Sequence, residues 1–164
     1  MVRYVPLYIY SFRLIAPRKL LDAQMFNQRW QSYEEIDNVP DRLRWCRYHM
    51  GLMQKEVAEL VGISRARYIE LETGAVDYYP KEIVDKLATL YRIPTDDLLD
   101  EYNRFQYIGQ GKVIREYRES LGLKRKPFAR KMGMDPNLLR AWEEERKQMN
   151  INSWKKYFRN IISV

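Results

Sequence analysis

The sequence predicts an all-α fold in which two similar helical bundles follow an aromatic N-terminal extension. Three observations support this prediction. Apolar residues recur at helical spacing over most of the chain after residue 38, and short helical runs end at glycine. A stretch of 31 residues also recurs, in altered form, 71 positions later. With 164 residues, the chain has the length of one medium domain or two small ones.

Residues 1–38 form the N-terminal extension. Its first segment, "MVRYVPLYIYSFRLIAP", is apolar and aromatic but is interrupted by Arg3, Pro6 and Arg13. A membrane span needs about 20 predominantly apolar residues, and a signal peptide needs an uninterrupted apolar core, so we expect neither. Alternating apolar residues near the start are typical of a short strand, which a helix would follow. A disordered leader is the alternative.

The first copy of the repeat begins with three helices. An amphipathic run over residues 39–50 is stopped by a glycine, a residue that commonly ends helices. A second helix over residues 54–61 is followed by Gly62, which permits a sharp turn. Ser64 is then a good N-cap for a third helix over residues 65–73. The second and third helices are too short and too close together to fold independently.

Two further helices complete the first copy, which we assign to residues 39–107. After Pro80, apolar residues recur on one helical face. We expect Thr95 to cap a last helix that runs from Asp96 towards Tyr107.

The second copy, residues 108–164, keeps the breaks of the first. Identical residues at the offset of 71 are Arg44/Arg115, Arg47/Arg118, Gly51/Gly122, Leu52/Leu123, Lys55/Lys126, Ala58/Ala129, Gly62/Gly133 and Glu72/Glu143. Asp135 is expected to cap the helix that Pro136 begins, because proline is well placed at a first helical position. The closing helix is expected to contain the apolar residues Trp154, Phe158 and Ile161.

Composition limits the classes of function. The net charge of +7 and the pI of about 9.4 suggest an anionic partner. Cys46 is the only cysteine, so an internal disulfide framework is excluded and a reducing compartment is favoured. His49 is the only histidine. The sequence contains no HExxH, P-loop or dinucleotide-binding motif. We therefore expect no enzymatic activity, no metal site and no cofactor.

A set of residues at the turns and on the helices of the first copy resembles the pattern of a known family. They are Arg47, Gly51-Leu52, Gln54, Val57-Ala58, Gly62-Ile63-Ser64, Tyr68, Glu72 and Gly74. Over about residues 41–99 this pattern is similar to the lambda-repressor-like (Cro-type, XRE) helix-turn-helix proteins, and residues 112–162 match it more loosely. The resemblance implies two tandem bundles of this fold. In that family the helix after the Ser64-type cap enters the DNA major groove, and the helix before it crosses the backbone.

The resemblance implies roles for individual residues. Base contacts would come from Arg65, Ala66 and Glu70 and, in the second copy, from Asn137. Phosphate contacts would come from Gln54, Arg44 and Arg67, and in the second copy from Lys124, Arg125, Lys126 and Arg140. Two arginine–glutamate pairs, Arg47 with Glu72 and Arg118 with Glu143, are interpreted as structural. Arginines on the first turn of a helix oppose its dipole, which a polyanionic partner would explain.

Charge divides unevenly between the copies. Residues 41–99 hold 9 basic and 10 acidic side chains, a net charge of −1, whereas residues 112–164 hold 14 and 6, a net charge of +8. We therefore expect the first copy to read DNA sequence and the second to grip phosphate, as in a transcriptional regulator that binds double-stranded DNA. The protein would act either as a homodimer or as a monomer that uses both copies.

An alternative is a helix-turn-helix module that has been repurposed for protein–protein or RNA binding, for example in an antitoxin-like partner protein. We expect no membrane partner under either hypothesis. The expected location is cytoplasmic, with nucleoid association if the protein is bacterial.

Overall fold

The computed structural model describes residues 17–160, with side chains for residues 22–160, and every regular element in this range is helical. The α-helices in order are α1 Pro17–Arg29, α2 Val39–His49, α3 Gln54–Val61, α4 Arg65–Thr73, α5 Lys81–Tyr91, α6 Glu101–Ile108, α7 Gln110–Ser120, α8 Arg125–Lys131, α9 Pro136–Glu143 and α10 Ile151–Tyr157. Two 3-10 helices cover Tyr33–Glu35 and Thr95–Leu98. The all-α prediction is confirmed. The strand suggested near the N-terminus and Ile161 of the closing helix lie outside the described residues.

Contacts divide the chain into two compact units, which we call the first and second units. Among the described residues, the first comprises residues 17–75 and Asp85–Leu98, and the second comprises Val76–Val84 and residues 99–160. Each unit contains one copy of the repeat. None of the described helices is both long and apolar enough to cross a membrane.

The first unit includes part of the N-terminal extension. Phe26 of α1 and Ile36 are buried. The ring of Phe26 packs edge-on against Tyr48 of α2, with 5.5 Å between centroids. Arg42 of α2 donates from Nε to the Ile36 carbonyl at 2.8 Å. Residues 22–38 therefore pack onto the first helix of the repeat.

The prediction of one continuous helix from Asp96 towards Tyr107 is wrong. The chain forms a 3-10 turn at Thr95–Leu98 and then begins a new helix at Glu101. The physical reason is that Asp100 is the N-cap of a separate helix: its carboxylate accepts the backbone N–H of Asn103 at 2.7 Å, so α6 begins at Glu101. The 3-10 turn is held separately, because Arg42 Nη1 donates to the Asp97 carbonyl at 2.8 Å.

Helix α6 groups with the second unit by its contacts. The domain boundary after residue 107 stays a prediction. Tyr102 and Phe105 of α6 lie in the buried cluster of the second unit, together with Phe128, Trp142 and other core residues. The hydroxyl of Tyr102 donates to the Met149 carbonyl at 2.7 Å. The aromatic residues of α6 therefore complete the core of the second copy.

Buried Asn103 explains why residues 76–84 also belong to the second unit. Its amide nitrogen donates to the Asp77 carbonyl at 3.0 Å, and its amide oxygen accepts the N–H of Tyr79 at 2.8 Å. One side chain thus bonds a carbonyl and an N–H group of a segment distant in sequence, and it satisfies the backbone donor of buried Tyr79.

Close approach of α7 to the end of α9 depends on Gly111. A Cβ atom at this position would lie 2.5 Å from the Glu143 carbonyl oxygen, much closer than a van der Waals contact. The absence of a side chain therefore lets α7 carry Arg118 next to Glu143.

Cys46 is predicted to react slowly with thiol reagents in the folded protein. Burial, followed by the negative charge of Asp97, raises the pKa of this thiol to about 11, so the reactive thiolate is scarce at neutral pH. Labelling by iodoacetamide, followed by mass spectrometry, should be at least about tenfold slower than in urea-unfolded protein. Equal rates in the two states would contradict the burial of this side chain.

Candidate nucleic-acid interface

The turn between α3 and α4 fixes the start of α4. Gly62 adopts a φ of +78°, in the left-handed region that favours glycine. The N–H of Ile63 donates to the Ala58 carbonyl at 2.9 Å. Ser64 Oγ then accepts the N–H of Arg67 at 3.1 Å, which confirms the predicted cap. Backbone and cap bonds therefore set the direction of α4.

Helix α4 has one buried side and one exposed side. Tyr68 and Leu71 are fully buried, and the Tyr68 hydroxyl lies 2.7 Å from the hydroxyl of Tyr91 on α5. Arg65 and Ala66, on the first turn, are exposed. The structure thus places these two predicted base-contacting residues at the surface.

Two other predicted contacts on α4 bond to each other. Arg67 Nη1 lies 3.0 Å from Glu70 Oε2, and both side chains are partly exposed. Their opposite charges therefore largely cancel. Arg65 has no carboxylate within ion-pair distance in the described part of the chain, so it contributes most of the positive charge on this turn.

A buried carboxylate joins α4 to the two helices before it. Glu72 is fully buried, and its Oε1 accepts from Nε of Arg47 at 2.9 Å and from Nη2 at 2.5 Å. Its Oε2 accepts from the amide of Gln54 at 2.8 Å. Burial opposes the charge of Arg47, but the hydrogen bonds that Arg47 donates to Glu72, together with the negative charge of Glu72, outweigh this effect and raise the pKa of Arg47. The expected Arg47–Glu72 pair is therefore present, and it is buried.

The surroundings of Glu72 also determine where two predicted phosphate contacts lie. Gln54 is half-buried and uses one amide donor on Glu72. The Arg44 guanidinium lies 5.3 Å from the Phe26 ring centroid and 3.7 Å from Glu72. Both side chains are therefore oriented by the first unit itself.

The turn between α8 and α9 repeats this geometry in the second unit. Gly133 has a φ of +63°, and Met134 N–H donates to the Ala129 carbonyl at 2.9 Å. Asp135 caps α9, as predicted, by accepting the N–H of Asn137 at 2.8 Å. Asn137 itself is exposed.

The second unit also repeats the buried pair. Arg118 donates from Nε to Glu143 Oε1 at 2.6 Å. Arg125, which takes the position of Gln54, donates from Nε to Glu143 Oε2 at 2.6 Å. In both units, Nη1 of the buried arginine also donates to the carbonyl five residues later, at 3.2 Å in the first and 2.8 Å in the second. The pairing of the two copies inferred from the sequence therefore extends to individual hydrogen bonds.

Arginines at the end of α9 gather around Glu144. This carboxylate accepts from Arg125 Nη1 at 3.1 Å, from Arg140 Nε at 2.9 Å and from Arg146 Nε at 3.1 Å. The hydrogen bond from Arg140 is the main cause that lowers the pKa of Glu144. Two predicted phosphate contacts, Arg125 and Arg140, thus have internal partners. By contrast, Lys124 is exposed.

Sequence reasoning missed the roles of Glu144 and Arg146. The available signal was the run "EEERK" at residues 143–147, where acidic and basic side chains adjoin the end of a helix. That run shows that charges are close along the chain, but not which of them bond. Within residues 17–160, no cluster of three or more His, Cys, Asp or Glu side chains is suited to a metal ion.

Comparison with protein-family models identifies both copies. Residues 41–101 match a model described as "Helix-turn-helix domain", and residues 114–158 match a second, described as "Helix-turn-helix". The chain therefore contains two tandem helix-turn-helix domains of the lambda-repressor-like (XRE) type. Domains of this type indicate a DNA-binding regulator. In proteins of this type, the helix that follows the turn is called the recognition helix. By position, α4 and α9 correspond to it here.

One curated protein shares a short segment with the chain. It is "Glutamine--fructose-6-phosphate aminotransferase [isomerizing]" of Methanocaldococcus jannaschii, 28% identical over 69 residues. These residues make up 42% of this chain but only 6% of that protein. So small a share carries no activity over to the helix-turn-helix protein. No solved structure matches the chain.

Replacing Glu72 with alanine should destabilise the first helix-turn-helix domain strongly. The change leaves the Arg47 guanidinium buried without its partner, which typically costs about 3–5 kcal/mol. The matched control is Glu59→Ala on α3, because Glu59 is largely exposed and its Lys55 partner lies 3.6 Å away. Such a surface pair contributes only about 0–1 kcal/mol.

Urea unfolding monitored by circular dichroism would measure both changes. If Glu72→Ala and Glu59→Ala gave the same loss in unfolding free energy, the buried pair would not hold the domain together.

Proposed function

We propose that the protein regulates transcription by binding double-stranded DNA in a sequence-specific manner, with α4 in the major groove. The observation that carries this proposal is Arg65, which is exposed on the first turn of α4 and has no carboxylate partner within residues 17–160. Its charge opposes the helix dipole there, an arrangement that becomes favourable when the turn faces phosphates and base edges.

The exposed face of α4 offers three kinds of base contact. Arg65 can donate two parallel hydrogen bonds to guanine, and Ala66 can pack against a thymine methyl group. Glu70 can accept from cytosine while it holds Arg67 through their 3.0 Å ion pair. Held in this way by Glu70, Arg67 would face a flanking phosphate.

Backbone contacts in the first domain would come from residues already oriented by Glu72. The amide nitrogen of Gln54 carries two N–H groups, and one of them donates a hydrogen bond to Glu72. The other N–H can donate to a phosphate. Arg44, held over the Phe26 ring, is the second candidate. Prior orientation lowers the entropy lost when these side chains bind DNA.

The second domain would supply most of the phosphate grip. Its segment 112–164 carries a net charge of +8, compared with −1 for residues 41–99. Lys124 and Lys126, at the start of α8, are exposed and suited to backbone contact. Asn137 on α9 is suited to reading adenine. A homodimer or a single chain using both domains would differ in the length of its footprint on DNA.

Arg65→Ala should abolish most of the sequence preference without harming the fold. Removing a bidentate arginine–guanine interaction costs about 1–3 kcal/mol, which is roughly fivefold to 150-fold in affinity for the preferred site. The same change removes an unfavourable charge from the helix N-terminus and should stabilise the free protein by about 0.3–1 kcal/mol.

Selection from a random duplex pool would first define the preferred site, and mobility shift with RNA competitor would then compare the variants. Lys112→Ala is the control, because it removes one positive charge from an exposed side chain outside α4. An equal loss for Arg65→Ala on preferred and random duplexes would refute base reading by this residue.

Lys124→Ala and Lys126→Ala should weaken binding to all duplexes alike. Removing one lysine–phosphate interaction should reduce the slope of log K against log salt concentration by about 0.9. Fluorescence anisotropy over a range of salt concentrations measures this slope. Arg125 is left intact because it bonds to Glu143, so its removal would also disturb the core. An unchanged slope would exclude these lysines from the interface.

A further inference from the structure

The two helix-turn-helix domains share a scaffold but differ at four linked positions. At the offset of 71, the second domain replaces uncharged residues with charged ones: Gln54 with Arg125, Ile69 with Arg140, Thr73 with Glu144, and Ala75 with Arg146. The buried arginine–glutamate pair remains in both domains. All four replacements meet at one place, the end of recognition helix α9, and form what we call the Glu144 cluster.

The Glu144 cluster carries excess positive charge. Three guanidinium groups lie within 3.1 Å of the carboxylate oxygens of Glu144. Arg125 is also paired with Glu143, so the two exposed arginines, Arg140 and Arg146, share a single carboxylate, which leaves an excess positive charge. Glu144 is only partly exposed, whereas Arg140 and Arg146 are each 59% exposed. Surface pairs of this kind add little to stability. Their concentration at one point therefore favours binding of an external anion.

The bonding atoms show how an anion can enter. Arg140 and Arg146 each use Nε to reach Glu144. In the described part of the chain, none of the four Nη groups of Arg140 and Arg146 has a hydrogen-bond partner. The two Nη groups form the end-on fork with which arginine binds phosphate. A phosphate can therefore be bound without displacing Glu144.

We propose that Arg140 and Arg146, positioned by Glu144, form a binding site for a DNA backbone phosphate on the second domain. This inference rests on the proposed DNA-binding function and adds a site at the end of α9. Asn137, Arg140 and Glu144 recur at helical spacing and share one face of that helix. Arg140 lies about 4.5 Å along the helix axis beyond Asn137. When Asn137 faces base edges, the cluster faces the flanking backbone.

Glu144 acts as a positioning residue in this site. A free arginine loses rotamer freedom when it binds a ligand, and this loss of entropy weakens binding. Bonds from Nε to Glu144 restrict Arg140 and Arg146 beforehand. At the position of Glu144, the first domain carries Thr73, whose hydroxyl donates to the backbone carbonyl of Ile69 at 2.7 Å.

The double variant Arg140→Ala/Arg146→Ala tests the site directly. Affinity for a short duplex of random sequence should fall by about tenfold, and the salt slope should fall by about 0.9 for each phosphate that is no longer neutralised. Arg159→Ala is the matched control, because Arg159 is also about half exposed and lies 3.8 Å from a carboxylate, that of Glu101. A double variant that behaves like this control overturns the proposal.

The role of Glu144 is tested by a double-mutant cycle. In a Glu144→Ala background, removal of the two arginines should cost about threefold less affinity than in the native background. Glu116→Ala, at an exposed glutamate on α7, controls for the loss of one negative charge. An equal or larger cost would mean that Glu144 does not position the arginines, and would overturn that part of the proposal.

Inorganic phosphate separates this inference from the wider proposal. Side-chain ¹⁵N resonances of Arg140 and Arg146 should shift at lower phosphate concentration than those of Arg159, without any DNA present. Uniform shifts of all three would overturn the site even if DNA binding is sequence-specific. Selective shifts in a protein that shows no sequence preference would support the site while refuting the proposed base reading by α4.

Discussion

The buried bond between an arginine and a glutamate is the constraint on which each helix-turn-helix depends. In the first domain it joins Arg47 on α2 to Glu72 on α4, so the helix that would enter DNA is tied to the core of the unit. Removal of both charges from water is costly, so the pair is stable only when its atoms are close and their other hydrogen bonds are also made. Gln54 completes the hydrogen bonding of Glu72 by donating to its second carboxylate oxygen. The result is a recognition helix with a single orientation.

The second domain keeps the same bond and changes what surrounds it. Arg118 and Glu143 preserve the scaffold, but Arg125 replaces the neutral amide and links Glu143 to Glu144. Charged residues thus extend from a buried pair to the surface at the end of α9. The two copies illustrate how one packing solution can present a nearly neutral face in one domain and a strongly basic one in the other.

Local signals explain how much of the fold could be predicted. Glycine and a capping serine or aspartate mark both turns, and they act through bonds to atoms a few residues away. The bounds of α3 and α4 followed from these signals. The pairing of Arg47 with Glu72 was implied instead by the family resemblance, and its recurrence as Arg118 and Glu143 supported it. The packing of α6 could not be predicted from such signals, because its aromatic residues make contacts far along the chain, such as the hydrogen bond from Tyr102 to Met149.

For the candidate site, the sequence by itself determined which residues stand on the two recognition helices and that both copies share one scaffold. Only the tertiary structure decided which cations are available. Arg65 is exposed, whereas Arg67, Arg125 and Arg140 have carboxylate partners. The physical reason is that side-chain pairing depends on distances of about 3 Å between atoms from different turns and helices. Helical periodicity fixes a residue's face, but not the rotamer or the neighbour that completes its hydrogen bonds.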